Sequence, residues 1–561
     1  MKKLLFVMCA LSLLFSCKEE KKTEQKDNKV VEKTTTENEI PFVWEGANIY
    51  FLLTDRFNNG NPENDVNFDR TEETGPLRGF EGGDIQGIIQ KIEEGYFTDL
   101  GINAIWFTPV VEQIHGYTDE GTGKTYGYHG YWTKDWTAID PNFGTRKDLE
   151  KLVKTAHSNG IRILLDVVLN HTGPVTDKDP VWPDEWVRTG PTCEFSTYEN
   201  TTACTLVKNL PDILTESNEA VELPDALLAK WKEEGRLSQE LDELQLFFER
   251  TGYPRAPRYY IIKWLTDYVN DFGIDGFRVD TVKHVNENAW SDLYKEATYA
   301  FETWKKKHPD HVLDENPFYM VGEVYNYGIS SGRQFDFGDK KVDFFNHGFK
   351  GLINFELKND ANSDYETVFK KYNNLLSTKL NGKSVLNYLT SHDDGNPFDR
   401  ERKQSKYAAN ILLLTPGASQ VYYGDETARS LVIEGTEGDA TLRSFMNWKD
   451  LDSLPQIQEI HKHWQKLGQF RRNHPAIGAG KHKRLAKKPY VFSRMYVDGD
   501  FKDKIVVGLN LPKGKKSLWV KGFFGDGTKL YDTYSETEAT VTNGKVILEN
   551  DFDIALLELA E

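Results

Sequence analysis

The stretch GIDGFRVDTVKH, residues 273–284, combines a short apolar strand with two opposite charges on one of its faces. Side chains of a strand alternate between its two faces, so Arg278 and Asp280 share one face while Phe277 and Val279 share the other. The apolar face predicts packing against a layer of helices. The charged face predicts a functional centre at the end of the strand, where Arg278 favours the ionised form of Asp280.

Apolar segments of the same kind recur along the chain, separated by amphipathic stretches. The strand candidates are residues 48–57, 102–110, 161–170, 274–280, 318–325, 351–355, 385–390 and 419–426. A typical stretch between them is TRKDLEKLVKTAHSNG, where Thr145 and Asp148 have the spacing of a capping box and Gly160 is a suitable stop. Eight apolar strands separated by helices predict a parallel sheet and an α/β fold, a (β/α)8 or TIM barrel over residues 46–480.

Two regions depart from this alternation. The connection after the third strand, residues 171–257, is too long for a helix alone and predicts an inserted domain. After about residue 480 the strands become short and alternating, with an Asn543-Gly544 turn, which predicts a C-terminal antiparallel β-sandwich over residues 481–561.

The N-terminus has the pattern of an export signal. Lys2 and Lys3 precede an apolar run that ends at Ser16, too short to span a bilayer comfortably, so residues 1–16 are predicted to be a signal peptide. The run ends in LFSC, which resembles the bacterial lipoprotein box, with Cys17 as the lipidated residue. The alternative is a plain secretory signal with an incidental cysteine. Residues 18–40 are mostly charged and nearly free of apolar side chains, so a disordered tether is predicted over residues 17–45. We therefore expect an exported protein anchored by lipid to the outer membrane.

The net charge and the cysteines restrict the classes of partner and site that the chain can have. The formal net charge of −18 argues against a nucleic-acid partner, because phosphate binding needs a basic surface. With Cys9 in the signal and Cys17 lipidated, Cys193 and Cys204 remain, and in an exported protein they predict a disulfide rather than a metal site. We expect contact with the membrane through the lipid anchor only. The sequence leaves the oligomeric state open, with a monomer as the expected form.

Carboxylates stand at the ends of three predicted strands. Asp280 ends the fourth strand, Glu323 the fifth and Asp393 the seventh. Functional groups of such barrels lie at the C-terminal ends of the strands, so we expect these side chains on one rim. A pair of carboxylates is what glycoside hydrolysis requires, one as nucleophile or base and the other as general acid. Any one of them alone could be a structural cap, but together they predict a catalytic centre.

The segments at these strand ends resemble the signature regions of a known family. DVVLNH (166–171), GFRVDTVKH (276–284), GEVY (322–325) and LTSHDD (389–394) look like the four ordered regions of glycoside hydrolase family 13, the α-amylase family. LPDI (210–213) resembles its fifth region, and GYHGYW (127–132) and VYYGDE (421–426) also fit. Several stretches, including HPAIGAGK (474–481), are similar to the periplasmic α-amylases of Gram-negative bacteria. The resemblance covers roughly residues 46–561 and implies that the insertion is that family's domain B.

The resemblance implies a role for each matching residue. Asp280 would be the nucleophile, Glu323 the general acid/base, and Asp393 the carboxylate that binds the distorted sugar. The implied sugar contacts are His129, Tyr131, His171, Arg278, Lys283, His284 and His392. The segment LTSHDD departs from the family, which more often has Asn before the His and after the Asp, so the polar contacts there are not implied.

Two calcium sites are implied in the same way. Asn170, Asp212 and the backbone oxygen of His284 match the family's structural calcium site, whose hard oxygen donors suit Ca²⁺. A second site is suggested by residues 54–65 and 82–84, which resemble a calcium loop of cyclodextrin-forming relatives. Its implied ligands are Asn59, Asn61, Asn64, Asp65 and Asp84. The alternative for this loop is a merely turn-rich Asn/Gly segment.

The function that the resemblance implies is that of a retaining, endo-acting α-1,4-glucan hydrolase acting on starch, glycogen or maltodextrins. A maltogenic enzyme or a 4-α-glucanotransferase of the same family would use the same three carboxylates, and the sequence does not separate these activities. A glycan-binding lipoprotein with an inactive barrel is disfavoured, because inactive relatives lose one or more of these carboxylates and all three are present here.

The lipoprotein hypothesis predicts that Cys17→Ser releases the enzyme from the membrane with unchanged turnover, since several acyl chains anchor a protein stably and this variant has none. Membrane fractionation with activity assays on both fractions measures this. A wild-type protein that is already soluble and begins at another residue would contradict the hypothesis.

Overall fold

A computed structural model describes residues 40–119 and 121–560, and within them eight parallel strands close into a barrel. The strands are β1 Asn48–Leu52, β2 Ala104–Phe107, β3 Arg162–Val167, β4 Gly276–Val279, β5 Tyr319–Gly322, β6 Gly351–Asn354, β7 Ser384–Asn387 and β8 Ala418–Tyr422. Each pairs with its neighbour in sequence, and β8 pairs with β1. Every residue of these strands is buried, because side chains fill the inside of the barrel and helices cover its outside. The predicted TIM barrel is confirmed; the signal segment, Cys17 and the tether as far as residue 39 lie outside the described residues.

Helices surround the barrel and belong partly to the insertion. They are α1 Ile85–Glu93, α2 Arg146–Ser158, α3 Asp225–Glu233, α4 Leu237–Thr251, α5 Pro257–Phe272, α6 Glu287–Lys307, α7 Tyr365–Ser377, α8 Ser405–Leu414 and α9 Pro455–Asn473. Between β5 and β6 the chain forms two 3₁₀ helices, Ile329–Ser331 and Phe344–His347, with a small hairpin between them, instead of a long helix. None of the helices in the described part of the chain is both long and apolar enough to cross a membrane.

Local sequence signals explain where α2 begins and ends. The Thr145 side chain accepts from the Asp148 N–H, and the Asp148 side chain accepts from the Thr145 N–H, which completes the predicted capping box. The helix buries one apolar face, which includes Leu149 and Leu152. Gly160 follows with φ +68°, a left-handed conformation that glycine adopts without steric cost.

The chain between β3 and α5 forms a separate layer beside the barrel. Its Cys193 and Cys204 are joined in a disulfide with Sγ atoms 2.01 Å apart. Lys230 of α3 lies 2.8 Å from Asp135 and 2.9 Å from Glu112, two carboxylates of the antiparallel strand pair Val111–Gln113 and Thr133–Ile139 that follows β2. These ion pairs hold α3 against the segment that follows β2 of the barrel.

The C-terminal region is an antiparallel sandwich. Its strands are β9 Lys481–Ala486, β10 Tyr490–Asp498, β11 Phe501–Leu509, β12 Gly514–Trp519, β13 Lys529–Asp532, β14 Thr537–Thr540, β15 Lys545–Asn550 and β16 Ile554–Leu559. Six of them form one sheet, while β12 and β15 form the other, with a shared apolar cluster that includes Val506 and Leu518. The Asn543-Gly544 turn has φ of +50° and +72°, as a two-residue hairpin turn requires. However, β14 before the turn pairs with β13, and β15 after it pairs with β12, so the turn links two sheets instead of one long hairpin.

A buried histidine joins the barrel to this sandwich. His474 follows α9, and its Nδ1 lies 2.8 Å from Asp503 of β11 while its Nε2 lies 2.6 Å from Glu558 of β16. Burial alone would lower the pKa of His474, but hydrogen bonds to and charges on the two carboxylates outweigh it and raise the pKa to about 9.

This junction predicts a stability that falls at alkaline pH. Because the folded-state pKa lies above the unfolded value of about 6.5, the stabilisation is complete below about pH 6.5 and is lost as the pH rises through about 9. We expect about 3 kcal/mol of the free energy of unfolding to disappear across this window in the wild type and much less in His474→Gln. Chemical denaturation at several pH values measures it. His311→Gln, at an exposed histidine, should keep the wild-type profile, and an equal slope in His474→Gln would contradict the assignment.

Candidate active site

The charged face of β4 is the centre of the site. Arg278 pairs in register with Asp166 of β3, and its Nη1 lies 2.9 Å from Asp166 Oδ1 and 2.8 Å from Asp280 Oδ1. Its Nη2 lies 3.1 Å from Glu323 Oε2, at the end of β5. Arg278 is 1% exposed, so its charge is removed from water and is compensated by carboxylates of three adjacent strands.

Glu323 is the carboxyl group best suited to hold a proton. Burial raises its pKa well above the usual value, and the negative charges of Asp280 and Asp393 raise it further, against the opposing effects of Arg278 and the Thr281 N–H. A general acid that works near neutral pH needs a raised pKa of this kind.

The turn after β4 places a backbone N–H group within hydrogen-bond distance of Glu323. Thr281 has φ +47°, a left-handed conformation that is rare for a β-branched residue, and its N–H donates to Glu323 Oε2 at 3.0 Å. Strained backbone of this kind persists where the surrounding structure enforces it, commonly at functional sites. The strain therefore contributes to the orientation of the Glu323 carboxylate.

Asp393 has the opposite protonation tendency. Burial would raise its pKa, but His392, Arg278, Arg443 and the Ser391 hydroxyl together lower it below the ordinary value. The Ser391 Oγ lies 3.2 Å from Asp393 Oδ1, and the Arg443 Nε donates to the His392 carbonyl at 2.9 Å. A carboxylate that stays ionised beside Glu323 can stabilise positive charge that develops on a sugar.

An aromatic ring forms the floor beside these carboxylates. The Tyr131 hydroxyl donates to Asp166 Oδ2 at 2.8 Å, and its ring is stacked against His392 at 5.3 Å and against His129 at 5.8 Å. His171 Nε2 lies 3.2 Å from the Tyr131 carbonyl. These predicted sugar-binding residues are therefore in mutual contact.

The histidines of this floor are neutral near pH 7. Burial lowers the pKa of His392 to about 4, and it also lowers the pKa values of His129 and His171. A neutral imidazole can both donate and accept, which suits recognition of sugar hydroxyls.

Lys283 and His284 lie in the turn after β4 and face different surroundings. The Lys283 Nζ lies 5.3 Å from the Tyr325 ring, which is 44% exposed, so this pair can line an open subsite. The His284 side chain is buried against the disulfide loop, where its Nδ1 bonds to the Thr201 carbonyl at 3.0 Å. Burial lowers the pKa of His284 to about 4.

Comparison with known proteins identifies the family. The alpha-amylase catalytic-domain model matches residues 51–191 and 253–453. The periplasmic alpha-amylase of Escherichia coli (strain K12) is 36% identical over 543 residues, which cover 85% of this chain and 74% of that protein. The chain belongs to the α-amylase family.

More distant members include the cyclomaltodextrin glucanotransferase of Geobacillus stearothermophilus, 26% identical over 82% of this chain and 59% of that protein. Among solved structures, an Anoxybacillus alpha-amylase matches with a TM-score of 0.64 and 24% identity, covering 93% of this chain and all of that one. This second likeness concerns the fold. The α-amylase family model leaves out residues 192–252, the greater part of the layer beside the barrel.

Three residues outside the predicted site set also shape this α-amylase site. Asp166 can be recognised in the sequence as a carboxylate near the end of a strand, but only the folded structure shows its hydrogen bonds with Arg278, Tyr131 and Trp106 Nε1. Thr281 gives no sequence signal for its left-handed backbone. Arg443 comes from the chain after β8, far in sequence from the loop that it holds.

The residues of the first implied α-amylase calcium site fit a hard cation. Asn170 Oδ1 and Asp212 Oδ1 are buried without a hydrogen-bond partner in the described residues. Burial raises the pKa of Asp212 to about 8, although Arg188, whose Nε lies 3.3 Å from Asp212 Oδ2, opposes the shift. Unpaired buried oxygens of this kind are the donors that Ca²⁺ takes.

The second implied set is mixed. Asn59 Oδ1 and Asn64 Oδ1 are buried without a partner among the described residues, as a cation site requires. Asp84, by contrast, accepts hydrogen bonds from the N–H groups of Gly60, Asn61 and Gly87 and caps α1. Residues 40–119 and 121–560 hold no cluster of three or more His, Cys, Asp or Glu side chains arranged for a metal, and both implied sets consist mainly of amide and carbonyl oxygens.

Proposed function

We propose that the protein is a retaining, endo-acting α-1,4-glucan hydrolase that cleaves starch, glycogen or maltodextrins, with Asp280, Glu323 and Asp393 as its catalytic residues. The observation that carries this proposal is that one guanidinium, Arg278, binds both Asp280 and Glu323. Two carboxylates on different nitrogens of one guanidinium are close together, which favours attack by a carboxylate over attack by water. In retaining enzymes the two groups lie about 5–5.5 Å apart.

In the first step Asp280 attacks the anomeric carbon while Glu323 protonates the departing glycosidic oxygen. Arg278 forms an ion pair with the attacking carboxylate of Asp280. Burial raises the pKa of Glu323, so that Glu323 holds the proton that it donates to the glycosidic oxygen. Asp393, with its lowered pKa, binds the distorted sugar and stabilises its oxocarbenium-like charge.

In the second step Glu323 has lost its proton and acts as base. It takes a proton from water, which attacks the glycosyl-Asp280 intermediate and returns the anomeric configuration to the original one. Tyr131 stacks on the sugar in the cleavage subsite, while His129, His171 and His392 hydrogen-bond to its hydroxyls. Lys283, His284 and Arg278 complete the polar contacts around the scissile bond.

A glucanotransferase or a maltogenic enzyme is the second candidate, because the relatives include cyclomaltodextrin glucanotransferases at 26% identity. Both reactions share the first step and differ in whether water or a sugar hydroxyl takes the glycosyl group. Product analysis on amylose and maltoheptaose over time separates hydrolysis from transfer and endo from exo action.

The cellular setting is part of the same proposal. The N-terminal signal and Cys17 support export and lipid anchoring to the outer membrane, and the relative from Escherichia coli is periplasmic. We divide the exported chain into a tether over 17–45, a catalytic barrel over 46–480 with domain B at 171–257, and a C-terminal domain over 481–561.

Calcium is the proposed structural cofactor. Asn170, Asp212 and the His284 carbonyl would hold one ion, and Asn59, Asn61, Asn64, Asp65 and Asp84 a second. Bound calcium would supply positive charge to the buried Asp212 carboxylate and would join β3 to domain B.

The calcium proposal predicts that chelation lowers the melting temperature more than it changes the chemistry, because an ion that binds only the folded state stabilises it by mass action, by about 2.7 kcal/mol at a hundred times Kd. The increase in melting temperature on adding calcium should disappear mostly in Asp212→Ala. Asp179→Ala provides the control, because Asp179 is a buried carboxylate of the same region that backbone N–H groups and Lys134 already satisfy. Equal wild-type melting curves with and without chelator would count against both sites.

The catalytic assignment predicts separate losses for the acid and the nucleophile. Glu323→Gln should still bind maltooligosaccharides but lose about 10³-fold in turnover, with partial rescue by glycosyl fluorides because their leaving group needs no acid. With a fluoride whose second step is slowed, mass spectrometry of a digest should find the sugar attached to Asp280. A label on Glu323 or Asp393, or products of inverted configuration, would overturn the assignment.

A further inference from the structure

The loop that carries Asp393 is fixed by a second, adjacent carboxylate. Asp394 is 7% exposed and forms an ion pair with Lys358, which lies in the short helix Leu357–Asp360 after β6. The Tyr388 hydroxyl donates to Asp394 Oδ2 at 2.6 Å, and the Asn396 N–H donates to Asp394 Oδ1 at 3.1 Å. Contacts from the segments that follow β6 and β7 and from the loop itself therefore meet on this one carboxylate.

This carboxylate lies within the electrostatic field of the active site. Burial raises the pKa values of Tyr388 and Tyr325, and the charges of Asp393, Asp394 and Glu323 raise both further. The two phenols thus lie near Asp394 and near the catalytic carboxylates at once. An uncompensated Asp394 would add a negative charge to a site where Asp166, Asp280 and Glu323 already share the cation Arg278.

We propose that Lys358 and Asp394 are positioning residues for the reaction: their ion pair holds the loop 391–396 in the orientation that presents Asp393, and it keeps the added charge beside Glu323 at zero. Breaking a buried ion pair on one side leaves an uncompensated charge, whereas removing both partners leaves none. The inference uses the proposed hydrolase function only as its readout.

The pH dependence has named contributors. The ionisable groups that interact with Glu323 are Arg278 and Asp280 at the end of β4, Lys283 from the turn after β4, Tyr325 after β5, and Tyr388 and Asp393 after β7. All of them remain in variants of Lys358 and Asp394. A change in the basic limb of kcat/KM, which reports the acid in the free enzyme, therefore reflects the altered charge of the pair.

The test is a double-mutant cycle on the pH profile. Lys358→Met leaves a buried negative charge and should shift the basic limb to higher pH, while Asp394→Asn leaves a positive charge and should shift it to lower pH, each by about one pH unit or less. Each single variant should also lose about tenfold in kcat. The double variant Lys358→Met/Asp394→Asn should return the limb to the wild-type position, because no extra charge is left, while its turnover should stay below that of the wild type, because the ion pair that holds the loop is absent. Lys371→Met removes a lysine that pairs with Glu356 and Asp360 beside the same helix, and it should leave the limb unchanged.

Shifts of both single variants in one direction, no shifts, or a double variant that keeps a shifted limb would overturn the proposal. If Lys358→Met fails to fold, Lys358→Arg and the double variant still test the proposal. Lys358→Arg keeps the charge and the double variant removes both charges, so both should keep the wild-type limb. Asp394→Asn should still shift it. Failure of the proposed function appears differently, as a wild type that cleaves neither maltooligosaccharides nor activated glucosyl substrates.

Discussion

The active site depends on one buried cation. Arg278 is bound by Asp166, Asp280 and Glu323, and its full charge lies in an environment from which water is almost completely removed. Removing a guanidinium from water is costly, and only carboxylates at hydrogen-bond distance can offset that cost. Two of these carboxylates, Asp280 and Glu323, are also those proposed to carry the chemistry, so charge compensation and the proposed catalysis require the same arrangement.

The barrel provides this arrangement through its register. Neighbouring parallel strands end on the same rim, so β3, β4 and β5 bring three carboxylates to one guanidinium without any long loop. Trp106 and Tyr131 then cover the cluster, and each donates a hydrogen bond to Asp166. In the low dielectric that results, small differences in surroundings produce large differences in protonation. Glu323 is thereby suited to hold a proton while Asp393 is not.

Around this centre, the side chains proposed to be catalytic, and their neighbours, are held by residues from other segments of the chain. The backbone of Thr281 is strained, and its N–H donates a hydrogen bond to Glu323. The Arg443 side chain donates a hydrogen bond to the backbone carbonyl of His392 and so holds that loop. The Lys358–Asp394 pair fixes the same loop from the other side. Catalytic groups must be held within a fraction of an ångström, which explains why several independent contacts converge on short loops.

The sequence by itself determined the barrel and the positions of its chemistry. Apolar runs and the capping box of α2 depend on local periodicity and on contacts within a few residues, and the ends of parallel strands must share a rim, so Asp280, Glu323 and Asp393 could be placed together. Local signals also gave the Asn543-Gly544 turn, but which sheet each flanking strand joins was decided by pairing with distant strands. The 3₁₀ connection before β6 and the contacts of Arg443 and Lys358 were likewise decided only by the tertiary structure. So was the raised pKa of Glu323, because the burial and the neighbouring charges that raise it exist only after the chain has folded.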